Sequence, residues 1–260
     1  MTGPGTYVPR PGAAPLPRML RAQAGLETRM VLRNGEQLLL TVVIPVLVLL
    51  LFGSVEVVDL GGRSERLDFL VPGVLALAVL STAFTGLAIG TGFERRYGAL
   101  KRLGATPLPR GALLGAKGLA VLTVEALQVV LLLGVALLLG WDPPRDAAAW
   151  AGALLLLLVG TGAFAALALL MAGTLRAEAT LAAANLVYLL LLVTGGIAVP
   201  LDRFPDGLRP LLELLPSAAL ADGLRDCLSE GARLPVGDLV VLLVWGAVGS
   251  VLAARWFRWE

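Results

Sequence analysis

Six long apolar stretches constrain this 260-residue chain more than any other feature. Each reaches or approaches the length of about 20 residues at which a helix, rising about 1.5 Å per residue, crosses a hydrocarbon core of about 30 Å. The stretches are 38–55, 69–93, 112–140, 150–175, 179–199 and 236–254. The sequence therefore predicts an all-α integral membrane protein with six transmembrane helices.

The composition argues against a soluble fold of the same helices. Apolar residues make up 57% of the chain and charged residues 15%, whereas soluble domains carry roughly 25% charged residues. Six apolar helices in a chain of this length leave too little polar sequence to cover them in water. A lipid bilayer is therefore the expected surrounding.

The distribution of charge predicts the orientation of the chain, because loops rich in Lys and Arg stay on the cytoplasmic side. With the N-terminus inside, 14 of the 21 basic residues lie on inner segments and 13 of the 19 acidic residues on outer segments. We expect a multi-pass protein of a bacterial cell membrane with both termini in the cytoplasm. The basic charge thus reflects topology and gives no reason to propose a nucleic-acid partner.

Several residue types needed for chemistry are scarce. The chain has no histidine, and Cys227 is its only cysteine, which removes the commonest general base and the commonest metal ligand. No G-x-x-x-x-G-K-[ST] phosphate loop occurs, and the nearest fragment, 115–118, lacks its spacing. We therefore expect no catalytic residue, no metal site and no cofactor in this chain.

The segments outside the spans carry their own patterns. Residues 1–17 are rich in Pro and Gly and are predicted to be disordered. Residues 18–36 form a predicted amphipathic helix, with Met19, Leu26 and Met30 on one side and arginines on the adjoining sector. Such a helix lies at the inner membrane interface, either as an anchor or as a docking surface for a cytoplasmic partner. The remainder, 37–260, is the predicted transmembrane domain.

The outer segment 200–235 contains two further helical patterns. Apolar residues recur at helical spacing before Pro216 and again after it, with Ser217 as an N-cap and Gly231 as a stop. The sequence predicts two short amphipathic helices between spans five and six. They either close the outer end of the bundle or form a gate over an exit route.

Three polar residues lie deep in the apolar spans. Glu125 and Gln128 are three apart in the third span and share a face, and Asn185 lies in the fifth. An ionised carboxylate at mid-bilayer costs at least a few kcal/mol, so Glu125 should face the bundle interior, a cavity or a partner. All three are candidates for a substrate pathway, and the alternative for each is a hydrogen bond between helices.

The loop between spans two and three supplies the most specific pattern. Residues 94–108 read E-R-R-x-G-x-L-K-R-L-x-x-T-P-L, and Lys117 follows early in the third span. Residues 195–228 contain a Gly-Pro break after the fifth span, a predicted short P-x-x-L-R helix and a second Pro before the last span. In both runs the chain resembles the permease subunits of ABC-2 type ABC exporters, particularly the drug-resistance and polyketide-export type of actinobacteria.

The resemblance implies a partnership. Such a permease works as a dimer, a homodimer or a heterodimer, with a separate ATPase subunit that binds ATP and Mg²⁺. Its first cytoplasmic loop forms a coupling helix that docks on the ATPase. Carried over to this chain, the coupling residues are Glu94, Arg95, Arg96, Gly98, Lys101 and Arg102. Export of a hydrophobic or lipid-like small molecule is the expected activity.

Two other functions stay open from the residues alone. A secondary transporter driven by an ion gradient could use Glu125 as its proton site. A membrane-embedded lipid-modifying enzyme would need paired carboxylates with a metal, or a nucleophile with its base. Away from their ends, the spans offer one carboxylate, Glu125, and no histidine, which favours transport.

Overall fold

The computed structural model describes residues 12–54, 63–229 and 234–258, and these residues form helices and connecting turns without a strand. Two π-helical segments, Leu39–Val43 and Leu80–Gly86, interrupt the longer helices, and a 3₁₀ turn covers Leu201–Arg203. The α-helices are α1 (Leu16–Arg33), α2 (Gly35–Leu38), α3 (Ile44–Ser54), α4 (Arg63–Val79), α5 (Leu87–Arg96), α6 (Ala99–Gly104), α7 (Arg110–Leu138), α8 (Ala147–Thr174), α9 (Ala177–Thr194), α10 (Arg209–Leu212), α11 (Pro216–Leu228) and α12 (Val236–Trp256).

Within residues 12–54, 63–229 and 234–258, five helical stretches are long and apolar enough to cross a membrane. They are Ser64–Arg96, which joins α4, the second π segment and α5, together with α7, α8, α9 and α12. The second to sixth predicted spans are thus confirmed as helices of spanning length. The first contains the shorter apolar helix Thr41–Gly53, and residues 55–62 lie outside the described residues, so a sixth crossing stays a prediction.

The second span is the centre of the bundle and the last is at its edge. In the most apolar window of Ser64–Arg96, 89% of the residues are buried, against 11% for Val236–Trp256. Small residues bring α12 close to α8, since a Cβ on Gly249 would lie 3.2 Å from the Ala166 Cβ. Its other side exposes Val240, Leu243 and Val244, as expected of a face turned toward lipid.

Helix α1 packs lengthwise against α7. Ala24 and Glu27 are buried in this contact, whereas Leu26 and Met30 are about half exposed, at 50% and 51%. The predicted apolar edge is therefore only partly covered by the bundle, and its contact with the membrane stays a prediction. The helix begins at Leu16, two residues before the predicted start, and most of the predicted disordered tail, 1–11, lies outside the described residues.

The outer segment differs from its sequence prediction. The first predicted helix is only the four-residue α10. The second is α11, which is buried along most of its length between α4, α8 and α12 rather than lying on a surface. The prediction that Ser217 caps it is wrong, because the helix begins at Pro216 and the Ser217 hydroxyl has no hydrogen-bond partner in the part of the chain that the structure describes. The predicted stop, Gly231, lies outside the described residues.

Candidate functional site

The loop between the second and third spans is a short helix on a sharp turn. Helix α5 ends at Arg96, and Gly98 follows with φ of 69°. This left-handed conformation favours glycine because a Cβ would clash with the backbone. The turn lets α6 (Ala99–Gly104) leave the axis of the second span, with Leu100 buried beneath it.

Two arginines tie the start of this loop to the turn between α8 and α9. The Arg95 guanidinium donates to the Leu175 carbonyl, and Arg96 forms an ion pair with Glu178. Both partners of the ion pair are about half exposed, at 49% and 61%, so the pair contributes little to stability. Its effect is to set where the loop lies.

The outward face of the loop is basic and aromatic. Lys101 and Arg102 are exposed on α6, and Arg102 donates to the Tyr97 carbonyl at 3.3 Å. The Tyr97 ring is 66% exposed and stacks on Phe93 with 6.1 Å between ring centroids. These three side chains form a compact surface at the end of the second span, which we term the basic face: Tyr97, Lys101 and Arg102.

Glu94 does not belong to that face. Its carboxylate points inward to the Lys117 ammonium, 2.6 Å away. The other carboxylate on the same ammonium is that of Glu27 in α1, at 3.0 Å. Lys117 is 4% exposed. We term these three residues the lysine cluster. It joins α1, α5 and α7.

The lysine cluster is only partly predictable from the sequence. Lys117 is a charge two turns into a mostly apolar helix, and such a residue needs a partner. Glu27 lies one turn from Met30 and interrupts the apolar side of α1. Which carboxylates reach Lys117 depends on how three helices pack, and a helical wheel contains no such information.

Four segments predicted to face the cytoplasm lie together at one end of the bundle. The lysine cluster holds α1 against the base of α7, and Arg95 reaches Leu175. At the chain's far end, the Arg258 amide donates to the Gly173 carbonyl at 3.1 Å. This end therefore gathers the basic segments that the charge pattern assigned to one side.

Glu125, the first pathway candidate, is buried at 6% exposure and faces α8. Thr161 donates to its Oε2 at 2.6 Å. The second oxygen, Oε1, has no hydrogen-bond partner among the described residues. A buried carboxylate with half of its accepting capacity unused is uncommon, so this position keeps its interest as a pathway residue.

Gln128 and Asn185 lie elsewhere. Gln128 accepts from Thr82 at 2.8 Å and donates to the Thr41 carbonyl, so it bridges α7 to both π-helical segments. Asn185 lines a separate cavity of about 320 Å³ beside Thr41 and Thr85. The structure therefore does not bring the three pathway candidates into one site, and the contacts of Gln128 are those of a residue that joins helices.

A half-buried cation, Arg225, lies at the opposite end, in α11. The Arg225 guanidinium donates to the Phe69 carbonyl at 3.2 Å, the Gly196 carbonyl at 2.6 Å and the Asp222 carboxylate at 2.5 Å. It also lies 3.8 Å above the centroid of the Phe69 ring. Burial lowers the pKa of Arg225, with Asp222 opposing the shift. We term this group the arginine clamp; it joins α4, α11 and the turn after α9.

The comparisons with known proteins agree with this arrangement. The ABC-2 type transporter family matches residues 24–228, from the middle of α1 to the end of α11. The chain belongs to the ABC-2 type transporter family. It is also 24% identical, over 242 residues, to a Bacillus subtilis (strain 168) protein named "Putative transport permease YvfS", covering 92% of this chain and 97% of that protein.

Membership of the ABC-2 type transporter family bears on the role of the inner end of the bundle. The family implies a transport role, a membrane and a partner ATPase. The matched region includes α1, the basic face, the lysine cluster and the arginine clamp. It ends before α12, which is the least buried of the five spanning helices.

Proposed function

We propose that this chain is the transmembrane permease subunit of an ATP-driven exporter. It couples to a separate ATPase through the loop that begins at Glu94. The observation that carries the proposal is the basic face: Tyr97, Lys101 and Arg102 are exposed together at the end of the most buried helix of an ABC-2 family chain. A partner that moved this face would act directly on the core.

The mechanical path runs through the second span. Ser64–Arg96 is a 33-residue helix at the centre of the bundle, so a displacement of α6 passes into residues that contact most of the other spans. The π segment Leu80–Gly86 interrupts this helix at mid-length, and π segments are frequent at functional sites. Closure of the ATPase on ATP would bend or tilt the second span about this point.

The cargo is proposed to be a hydrophobic or lipid-like small molecule, moved outward, since the interior of the bundle is mostly apolar. Of the predicted coupling residues, Arg95, Arg96, Lys101 and Arg102 would contact or position the partner, Gly98 would shape the turn, and Glu94 would act through Lys117. We place the chain in the bacterial cell membrane as a homodimer with both termini in the cytoplasm.

The direct test reverses the charge of the basic face. The double variant Lys101→Glu/Arg102→Glu should reach the membrane normally yet lose at least 90% of ATP-driven transport and of permease-stimulated ATPase activity. Arg145→Glu/Arg203→Glu, which makes the same charge change at the opposite end, should retain both activities. Full transport in the first variant would show that coupling does not pass through this face.

One observation favours a second candidate, an ion-gradient transporter. Glu125 is a buried carboxylate with one oxygen that has no hydrogen-bond partner among the described residues, and carboxylates within the membrane serve as proton relays in transporters. The two functions separate in proteoliposomes that contain this chain alone. Uptake driven by a pH gradient without any ATPase would support the second candidate, whereas strict dependence on the ATPase and ATP would support the first.

A further inference from the structure

A cavity of about 340 Å³ opens beside the lysine cluster at the inner end of the bundle. Helices α1, α5 and α7 form its walls. Most of its surface is apolar, with Met30, Leu87, Phe93 and Val121 among the lining side chains. Its volume falls within the range of about 300–1,000 Å³ that is typical of small-molecule sites.

The charged groups of this cavity do not balance. Lys117 supplies one ammonium, and Glu27 and Glu94 supply two carboxylates at 3.0 Å and 2.6 Å. No other Lys, Arg, Asp or Glu is among the residues that line the cavity. With all three groups ionised, the lysine cluster carries one negative charge in excess, which is costly when buried and which either one proton shared between the two carboxylates or one bound cation removes.

An unused acceptor lies in the same wall. The Thr91 hydroxyl is on α5, one turn before Glu94, and the residue is 1% exposed. It has no hydrogen-bond partner among the described residues, although it lines the cavity. Buried hydroxyls are nearly always hydrogen-bonded, and a helical threonine can usually bond to the carbonyl one turn back. An absent partner here points to a ligand group.

We propose that this cavity binds an amphiphile with a single primary ammonium group. The ammonium has three N–H donors, which match the carboxylates of Glu27 and Glu94 and the hydroxyl of Thr91. Its charge brings the lysine cluster to neutrality, while the apolar walls take the hydrocarbon part. The inference rests on the proposed function, because it defines a class of cargo that would enter from the inner leaflet.

The chemistry excludes close relatives of this ligand. An anionic amphiphile meets the excess negative charge and is repelled. A neutral alcohol leaves the charge unbalanced. A trimethylammonium group balances the charge but has no N–H to donate. Affinity should therefore fall in the order primary ammonium, trimethylammonium, alcohol and carboxylate for chains of equal length.

The test is equilibrium binding of radiolabelled decylammonium to the full chain in phosphatidylcholine nanodiscs, corrected with empty nanodiscs. Decyltrimethylammonium, decanol and decanoate serve as competitors. Glu27→Gln leaves Lys117 and Glu94 as a balanced pair and should weaken binding at least tenfold. Thr91→Val should weaken it about threefold. Asp142→Asn removes one acidic charge at the opposite end and should change nothing.

A double variant separates charge balance from damage to the fold. Glu27→Gln/Lys117→Met leaves Glu94 as the single charge of the lysine cluster, so its excess again equals one negative charge. Binding should return to within about threefold of the wild-type affinity. Equal affinity for decylammonium and decanol, or unchanged binding in Glu27→Gln, would overturn the proposal.

The source of the ammonium is resolved by adding phosphatidylethanolamine to the nanodiscs. Competition with the labelled amine would show that an aminolipid headgroup occupies the cavity, and lack of competition would assign it to a free amine. Because no ATPase is present, the assay does not depend on the proposed coupling. Loss of binding would leave the Lys101→Glu/Arg102→Glu result intact, and the reverse also holds.

Discussion

Each end of the bundle holds a cation largely out of water, Lys117 at one end and Arg225 at the other, and the two are satisfied in different ways. At the inner end, the described partners of Lys117 are both carboxylates, those of Glu27 and Glu94. At the outer end, Arg225 is held by one carboxylate, two backbone carbonyls and the face of an aromatic ring. The first arrangement depends on charge, and the second depends on geometry.

This difference assigns distinct mechanical properties to the two ends. A flexible ammonium between two carboxylates can exchange one partner for another without moving the backbone. A planar guanidinium that donates to the carbonyls of Phe69 and Gly196 fixes the distance between two chain segments. We therefore expect the inner end to rearrange during a transport cycle and the arginine clamp to hold α4, α11 and the turn after α9 together.

The largest effect is expected from Arg225→Met. The substitution leaves the carbonyls of Phe69 and Gly196 and the carboxylate of Asp222 without their donor. The loss should lower the free energy of unfolding by about 4 kcal/mol. Arg225→Lys should recover less than half of this loss, because one ammonium cannot reach all three acceptors. Thermal unfolding in nanodiscs measures both variants. Full recovery in Arg225→Lys would show that charge, not geometry, matters at this end.

The same variant has a pH dependence. Burial raises the pKa of Asp222, and Arg225 acts against the shift, so removing the arginine raises this pKa further. When a carboxyl has a higher pKa in the folded than in the unfolded state, the folded protein loses stability as the pH rises through the folded-state pKa. The loss of unfolding free energy in Arg225→Met, relative to the wild type, should therefore be smaller in acid and larger toward neutral pH. A loss that increased in acid would contradict this.

The second-largest effect is expected at the lysine cluster. Lys117→Met leaves two buried carboxylates close together and should cost about 3 kcal/mol. The swap Lys117→Glu/Glu27→Lys restores one cation between two carboxylates and should regain at least half of the loss. The corresponding swap Arg225→Asp/Asp222→Arg should regain little. Equal rescue at both ends would remove the distinction between them.

A smaller effect is expected on the rate at which the Cys227 thiol, at the outer end, reacts with maleimide. The residue is 2% exposed in α11, and burial raises the pKa of its thiol. Since the thiolate is the reactive form, maleimide labelling at neutral pH should be at least tenfold slower in the folded chain than in denaturant. Arg225→Met should accelerate it by loosening α11, whereas Lys117→Met should not; acceleration by both would mean that the ends open together.

The sequence predicts some of these features and not others, for physical reasons. The apolar length of residues 112–140 suffices to predict α7, because a spanning helix is a local property. Charge placement likewise predicts which segments share an end. The burial of α11 could not be predicted, since its polar residues Asp222 and Arg225 mark a surface helix until the carbonyls of distant segments are known to satisfy them. The partners of Lys117 could not be predicted from the sequence for the same reason.

The smallest change in stability is expected at Glu125. This carboxyl belongs neither to the lysine cluster nor to the arginine clamp. Glu125→Gln keeps an oxygen for the Thr161 hydroxyl and removes a buried acid, so the free energy of unfolding should change by less than about 0.5 kcal/mol. If the carboxyl contacts cargo, ATP-driven transport should nevertheless fall at least fivefold. Glu125→Ala, which also loses the Thr161 bond, provides the comparison. Unchanged transport of every tested cargo in Glu125→Gln would assign Glu125, like Gln128, to helix packing.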